Sequence, residues 1–319
     1  MRESRSAMFK PRFLLDSIRR RLTAGVTDPF THADYPLAET LQYRGDPGLC
    51  GPDSVTWRVV GDVAAFIGGV RALLVQAVHP EVAAGVSDHS SYREDPLGRL
   101  SRTSAYVTAT SFGAVPEVEE AIRIVRGAHR PVHGTSTRGR RYTASTPEFA
   151  AWVHNALTDS FLAAYRTYGR DTLSKDEADA YVLEQTAVGS LLSADPLPTR
   201  AAELSAWIAD HPEAAPSPGM SEAVGFLKRP PLSRSQGLGY RILFHAAVAT
   251  IPVRLRRMLG VRRLPGAIMV GRGAIAILRW ALGSSPTWNL ALIRVDAPIP
   301  AGLFHQPLPA AATIPPGRA

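Results

Sequence analysis

Between His79 and His154 the chain spaces His79, Arg99, Arg102, Thr103, His129, His133 and His154. Imidazoles, guanidiniums and a hydroxyl of this kind could hold a metal centre or an anionic, oxygen-bearing ligand. Cys50 is the sole cysteine. Zinc fingers, iron–sulfur clusters and disulfide frameworks need several cysteines at set spacings, so any inorganic centre here rests on histidine. Arg99, Thr103, Tyr106 and Thr110 recur at i, i+4, i+7 and i+11, which draws a polar stripe down one helix face. Arg99 on such a stripe could pair with a carboxylate, and Thr103 could hydrogen-bond a bound oxygen species. An ordinary solvated helix face has the same pattern.

His129 falls on the apolar stripe of Val118, Ile122 and Val125. An imidazole there needs a partner, either a hydrogen bond inside the core or a metal bound through its neutral form. His133 would complete an i, i+4 pair, but Pro131 between the two disturbs the helix and weakens that geometry. His154 sits beside Trp152 and Val153 near a helix start, with its side chain turned toward the interior. His79, ahead of Pro80, could cap the preceding helix as readily as serve a site. Phosphate cradles of the Gly-x-Gly-x-x-Gly or Gly-x-x-x-x-Gly-Lys type are missing, as are Gly-x-Ser-x-Gly elbows. Two tripeptides, His79-Pro80-Glu81 and His211-Pro212-Glu213, look like His-x-Glu, but no Cys-x-x-Cys follows either, which excludes a zinc deaminase.

The elements that must position these residues read as helices. Residues 59–78 keep a 3.6-residue apolar period and predict one long buried helix ended by His79-Pro80. Asp95-Pro96 is a cap followed by proline at the first helical position, and Gly113 is a stop, so residues 96–112 form the next helix. Pro116 opens another, with Val118, Ile122, Val125, His129 and Val132 on one stripe. Thr146-Pro147 repeats the cap-plus-proline signal. Ser174-x-x-Glu177 is a capping box before a helix reaching about Leu192. Residues 198–209 predict a short helix carrying Trp207, and 211–220 a loop. Alternating strand patterns are almost absent, and the tail from Pro298 reads as extended.

The 319 residues can bury a sizeable core. The arginine-rich N-terminus has an apolar run too short for a secretory signal, which predicts a cytoplasmic protein. Net charge is +8, unevenly placed: from Ala223 to Val295 there is no Asp or Glu, against twelve Lys and Arg. A basic, apolar-rich half of this kind suits an anionic lipid surface better than nucleic acid, because it lacks interleaved aromatics and any nucleic-acid motif. Arginine as the solvated face of ordinary helices is the alternative.

Several runs agree in order and spacing with a known family. They are residues 68–86, His89-Ser90, Asp95-Pro96, Arg99-Leu100-x-Arg102-Thr103, Phe112-Gly113, His129-x-x-Val132-x-Gly134 and Trp152-Val153-His154. From about Trp57 to about Gly260 the chain resembles the bacterial oxygenases related to latex-clearing protein, named for rubber oxygenase and for fungal mpaB. The resemblance implies an all-α, globin-like helical core around a b-type haem, with N- and C-terminal helical extensions. It also implies dioxygen as co-substrate, an electron donor, and a small apolar alkene or isoprenoid-like substrate. His129 matches the family's iron ligand, while Arg99 and Thr103 match its pocket arginine and threonine. Arg102 would join Arg99 in anchoring a propionate or shaping the distal side, Thr103 would orient bound dioxygen or peroxide, and His133 and His154 would be supporting pocket residues. Rubber-cleaving members are secreted and carry a lysine where this chain has Arg102. Arginine stays protonated, so the distal position is expected to be open or water-occupied, and polyisoprene is not the expected substrate. The expected organisation is a basic arm over 1–40, a haem-binding domain over 41–260 and a basic extension with a Pro/Ala-rich tail over 261–319. The rival is a non-enzymatic or haem-sensing protein docked on membranes by its basic half.

Overall fold

The computed structural model describes residues 16–17, 19–20, 22–23, 37, 39–303 and 305. Most of the predicted N-terminal arm and the end of the predicted tail lie outside the described residues. Among the described residues the protein is all-α. Its helices are α1 (Val55–Gly61), α2 (Ala65–Gln76), α3 (Pro80–His89), α4 (Pro96–Phe112), α5 (Val115–His129), α6 (Pro147–Tyr168), α7 (Lys175–Leu191), α8 (Ala201–Asp210), α9 (Pro218–Lys228), α10 (Arg234–Thr250), α11 (Val253–Met258), α12 (Ala267–Leu282) and α13 (Pro286–Arg294). A short antiparallel pair, β1 (His133–Thr135) and β2 (Arg141–Thr143), is in register His133↔Thr143, Gly134↔Tyr142 and Thr135↔Arg141.

The predicted helix over 59–78 is broken. α1 and α2 meet at 91°, because the Asp62 carboxylate accepts the Ala64 N–H at 2.8 Å and starts a new helix there. Arg279 holds the same carboxylate at 2.8 Å. The capping signals fare better. Asp95 accepts from Gly98 N at 2.9 Å at the start of α4. Ser174 and Glu177 exchange their reciprocal bonds, 3.1 and 2.7 Å, at the start of α7. The region predicted as a loop over 211–220 already turns into α9 at Pro218, where Ser217 caps Met220 N at 3.1 Å.

The centre of the molecule is the α2–α6 pair. Gly68 lets the helices close, since a Cβ there would sit 3.1 Å from the Phe161 Cα. Leu74, Val75, Trp152, Leu162, Tyr165, Tyr181, Leu204, Ile208 and Val248 fill the core around them. Arg71 on α2 crosses the interface to Asp159 at 2.7 Å and Ser160 Oγ at 2.7 Å, with both charged side chains buried. α10 packs on α2, and α12 on α10 and α6, so the segment around α12 is part of this body. No single helix among the described residues is long and apolar enough to cross a membrane.

Candidate functional site

α4 and α5 form a helical hairpin around Gly113-Ala114. Its turn is fixed from several sides. Glu117 accepts from Ala114 N at 2.8 Å and from Thr40 Oγ1 at 2.8 Å, and the buried Arg294 donates to the Asp46 carbonyl at 2.7 Å and to Thr40 Oγ1 at 2.6 Å. Gly48, at φ +71°, presses so close that a Cβ would overlap the Gly113 carbonyl. Near the turn the hairpin is core: Ala109, Phe112, Val118 and Ile122 are buried, and Phe112 meets Trp57 edge-on at 5.7 Å. Away from the turn burial is lost. Tyr106 and Val125 are half-buried, and Arg102, Thr103 and His129 are exposed. His129 therefore ends the stripe outside the core in which the sequence pattern placed it, and the remaining stripe residue, Val132, leads into β1.

Arg99 lies in the first turn of α4 and His129 at the last residue of α5, so each stands at the end of its helix away from the Gly113-Ala114 connection. The polar groups there are under-partnered. Among the described residues the Arg99 guanidinium makes no hydrogen bond or ion pair; its neighbour is the Tyr92 ring, 5.9 Å away. Burial draws the Arg99 pKa down, Tyr92 opposes this, and the adjacent Arg102 charge adds to it. The Tyr106 hydroxyl is buried without an acceptor, and burial pushes its pKa well up, so it stays a protonated donor. Burial also lowers the pKa of His129, even though the residue keeps accessible surface. The neutral imidazole that burial favours is the metal-ligating form.

Arg102 and Thr103 are engaged within α4. Arg102 reaches back to Asp95 at 3.1 Å and Ser91 Oγ at 3.5 Å. Thr103 donates its hydroxyl to the Arg99 carbonyl at 2.9 Å, leaving its oxygen as an acceptor. His154 lies elsewhere, buried in the α6–α7 interface with its ring against Gly189. Burial pushes its pKa down to about 4, with a smaller opposing effect from the Gln185 backbone. His133 leaves the helix for β1, where its carbonyl accepts from His89 Nε2 at 2.9 Å. The structure thus groups Arg99, Thr103 and Tyr106 on one face of α4 and puts His129 at the end of α5, while His133 and His154 face other surroundings.

His133 does line a cleft of about 990 Å³, together with His79, Tyr142, Phe149, Trp207 and His211. Sequence reasoning missed this feature. The two His-Pro-Glu tripeptides converge on it, with His79 and His211 rings 5.8 Å apart, and the repeated tripeptide was the available signal. His79 Nδ1 lies 3.4 Å from the buried Glu81 carboxylate. Glu81 also accepts from Ser136 Oγ at 2.8 Å and Arg138 Nε at 3.1 Å. Burial pushes the Glu81 pKa up, but the Arg138 and Ser136 hydrogen bonds outweigh it and the net shift is down. His79 is held neutral, at about 4, chiefly by burial and against the pull of Glu81. Gly134 makes room for the β2 side of the wall, since a Cβ would meet the Tyr142 hydroxyl at 2.6 Å.

No group of three or more His, Cys, Asp or Glu among the described residues could hold a metal ion. A metal here would need a ligand frame of its own. Residues 57–280 match the family model described as the catalytic domain of ER-bound oxygenase mpaB/B′ and rubber oxygenase, and the chain belongs to that oxygenase family. No curated protein and no solved structure matches the chain.

Proposed function

We propose that the protein is a haem b-dependent oxygenase whose porphyrin lies at the open end of the α4–α5 hairpin. The observation that carries this reading is the desolvated Arg99, which has no anionic partner among the described residues. An uncompensated, partly buried cation is costly unless a ligand supplies the counter-charge. A propionate is such a charge. The other residues fit the same group: His129 is exposed and its neutral form, favoured by burial, would hold the iron, and Tyr106 holds a proton without an acceptor among the described residues.

When bound, the haem would supply the redox chemistry that activates dioxygen toward an electron-rich carbon–carbon bond. The chain's own residues would bind and orient. Arg99 clamps a carboxylate, with Arg102 adding positive charge from its place beside Asp95. Thr103, its proton committed to the Arg99 carbonyl, would offer only an acceptor lone pair to a ligand. Arg102 would not ligate iron, because its guanidinium stays protonated. The cleft beyond β1, with Phe149, Trp207 and Tyr142 in its walls, is of a size for an organic substrate, and we assign it to a small apolar alkene or isoprenoid-like molecule. An external electron donor and a cytoplasmic location complete the proposal.

Haemin added to the purified protein tests it. A Soret band that saturates with one haem per chain is the expected result. Absence of any Soret feature in folded wild-type protein would overturn the reading.

A further inference from the structure

α12 presents to solvent a face that water does not favour. Its inner residues Ala267, Gly271, Ile275 and Leu282 are buried; Gly271 is pressed so close that a Cβ would lie 2.8 Å from the Ala246 Cβ and 2.9 Å from the Tyr168 ring. Its outer residues are apolar as well. Met269 is 77 % exposed, Val270 56 %, Ile277 55 % and Trp280 38 %. Gly273 and Ala276 lie between them, and a Cβ at Gly273 would meet nothing within 4 Å. At helical spacing these positions share one side, so they form a continuous stripe roughly 16 Å long rather than scattered exposed residues. A helix that is apolar all round is normally covered on all sides.

The surroundings of the stripe define what would cover it. Arg262 and Arg263 are exposed just before α12, and Arg272 is exposed at its edge. Arg19 stacks on the Trp280 ring at 4.9 Å. No Asp or Glu occurs between residues 223 and 295. Of the arginines in that stretch, only Arg279, paired with Asp62, and Arg294, 3.5 Å from Glu117, have an ion-pair partner among the described residues. A second copy docked on the same face would bring unneutralised arginines together. An anionic surface would neutralise them. An apolar stripe rimmed by exposed arginines without an ion-pair partner among the described residues, Arg272 donating only its Nε to the Thr167 carbonyl at 3.0 Å, matches the interfacial helix, whose apolar side enters the acyl boundary while its cations stay at headgroup level.

We propose that the outer face of α12 docks the protein peripherally on an anionic lipid bilayer, with Met269, Val270, Ile277 and Trp280 entering the interface and Arg262, Arg263 and Arg272 pairing with headgroup phosphates. The surface is independent of the haem reading. An apolar substrate dissolved in the bilayer would be concentrated beside an enzyme held there.

Co-sedimentation of the full chain with phosphatidylcholine vesicles, with and without phosphatidylglycerol, tests the proposal. Binding is expected only with phosphatidylglycerol, weakened by added salt and accompanied by a blue shift of tryptophan fluorescence. The double variant Met269→Glu/Ile277→Glu is expected to bind roughly tenfold more weakly or worse. Arg262→Glu/Arg263→Glu, in an exposed connection where folding is not at stake, is expected to lose roughly tenfold or more. Failure to sediment with phosphatidylglycerol vesicles would overturn the proposal, as would equal binding to neutral vesicles. It would be overturned too by a dimer in solution that Met269→Glu/Ile277→Glu dissolves while wild-type protein ignores lipid.

Discussion

The open end of the α4–α5 hairpin and the floor of the neighbouring cleft are both rich in arginine, histidine and hydroxyl groups, yet they treat them in opposite ways. Below the cleft, Glu81 takes hydrogen bonds from Ser136 and Arg138, and Glu213 pairs with Arg138 and Arg140. At the hairpin end, among the described residues, Arg99 has only the face of Tyr92 and the Tyr106 hydroxyl has no acceptor. A satisfied network contributes to stability and fixes one packing; an unsatisfied set costs stability and is retained where a ligand completes it. Pairing thus distinguishes the two regions where residue type does not.

The largest expected effect breaks the paired region. Glu81→Ala removes a buried carboxylate from three donors and should cost about 3 kcal/mol in chemical denaturation, without altering the position of a Soret band in protein that remains folded. The unpaired region should respond the other way round. Tyr106→Phe deletes an orphaned buried hydroxyl and should leave the ligand-free protein as stable or about 1 kcal/mol more stable, while weakening haem affinity severalfold in a titration. A destabilised Tyr106→Phe would mean that the hydroxyl has a partner inside the protein and that the contrast is false. Arg99→Met should lower haem affinity with little change in thermal unfolding of the ligand-free chain; a marked loss of stability would show Arg99 to be a structural cation.

A pH dependence tests the buried histidines. His154 and His79 both have folded pKa values pushed down from 6.5 to about 4. Between those values the unfolded chain binds protons that the folded chain refuses, so stability is fully present above about pH 6.5 and falls as the pH drops toward 4. Urea melts across that range should show the decline. His154→Gln should reduce its slope by about one proton; an unchanged slope would show that His154 is not held neutral by the fold.

The sequence made the helices legible wherever a cap marked them. Asp95-Pro96, Thr146-Pro147 and Ser174-x-x-Glu177 each open a helix in the structure. Periodicity alone was less reliable, because it ran through Asp62, where the chain turns by 91° beside the Asp62 bond to Ala64 N and the Arg279 ion pair. The α4 stripe was readable because its members are close in sequence. What could not be read was its state. Whether Arg99 is paired depends on elements far along the chain, and no spacing rule reports an absent partner. The same holds for the cleft, whose His79 and His211 come together only through packing of α3, α6 and α8. His129 was legible as a candidate for the wrong local reason: its stripe is apolar, but the ring lies beyond the buried part of the helix.

Equilibrium haemin titration of wild-type protein and His129→Ala, each with and without added imidazole, tests whether haem binds at this end of α4 and α5 through His129. The account predicts a saturable Soret band for wild type, its loss in His129→Ala at unchanged helical content, and its return when imidazole occupies the vacated position. A His129→Ala protein that binds haemin with wild-type affinity and spectrum would contradict it.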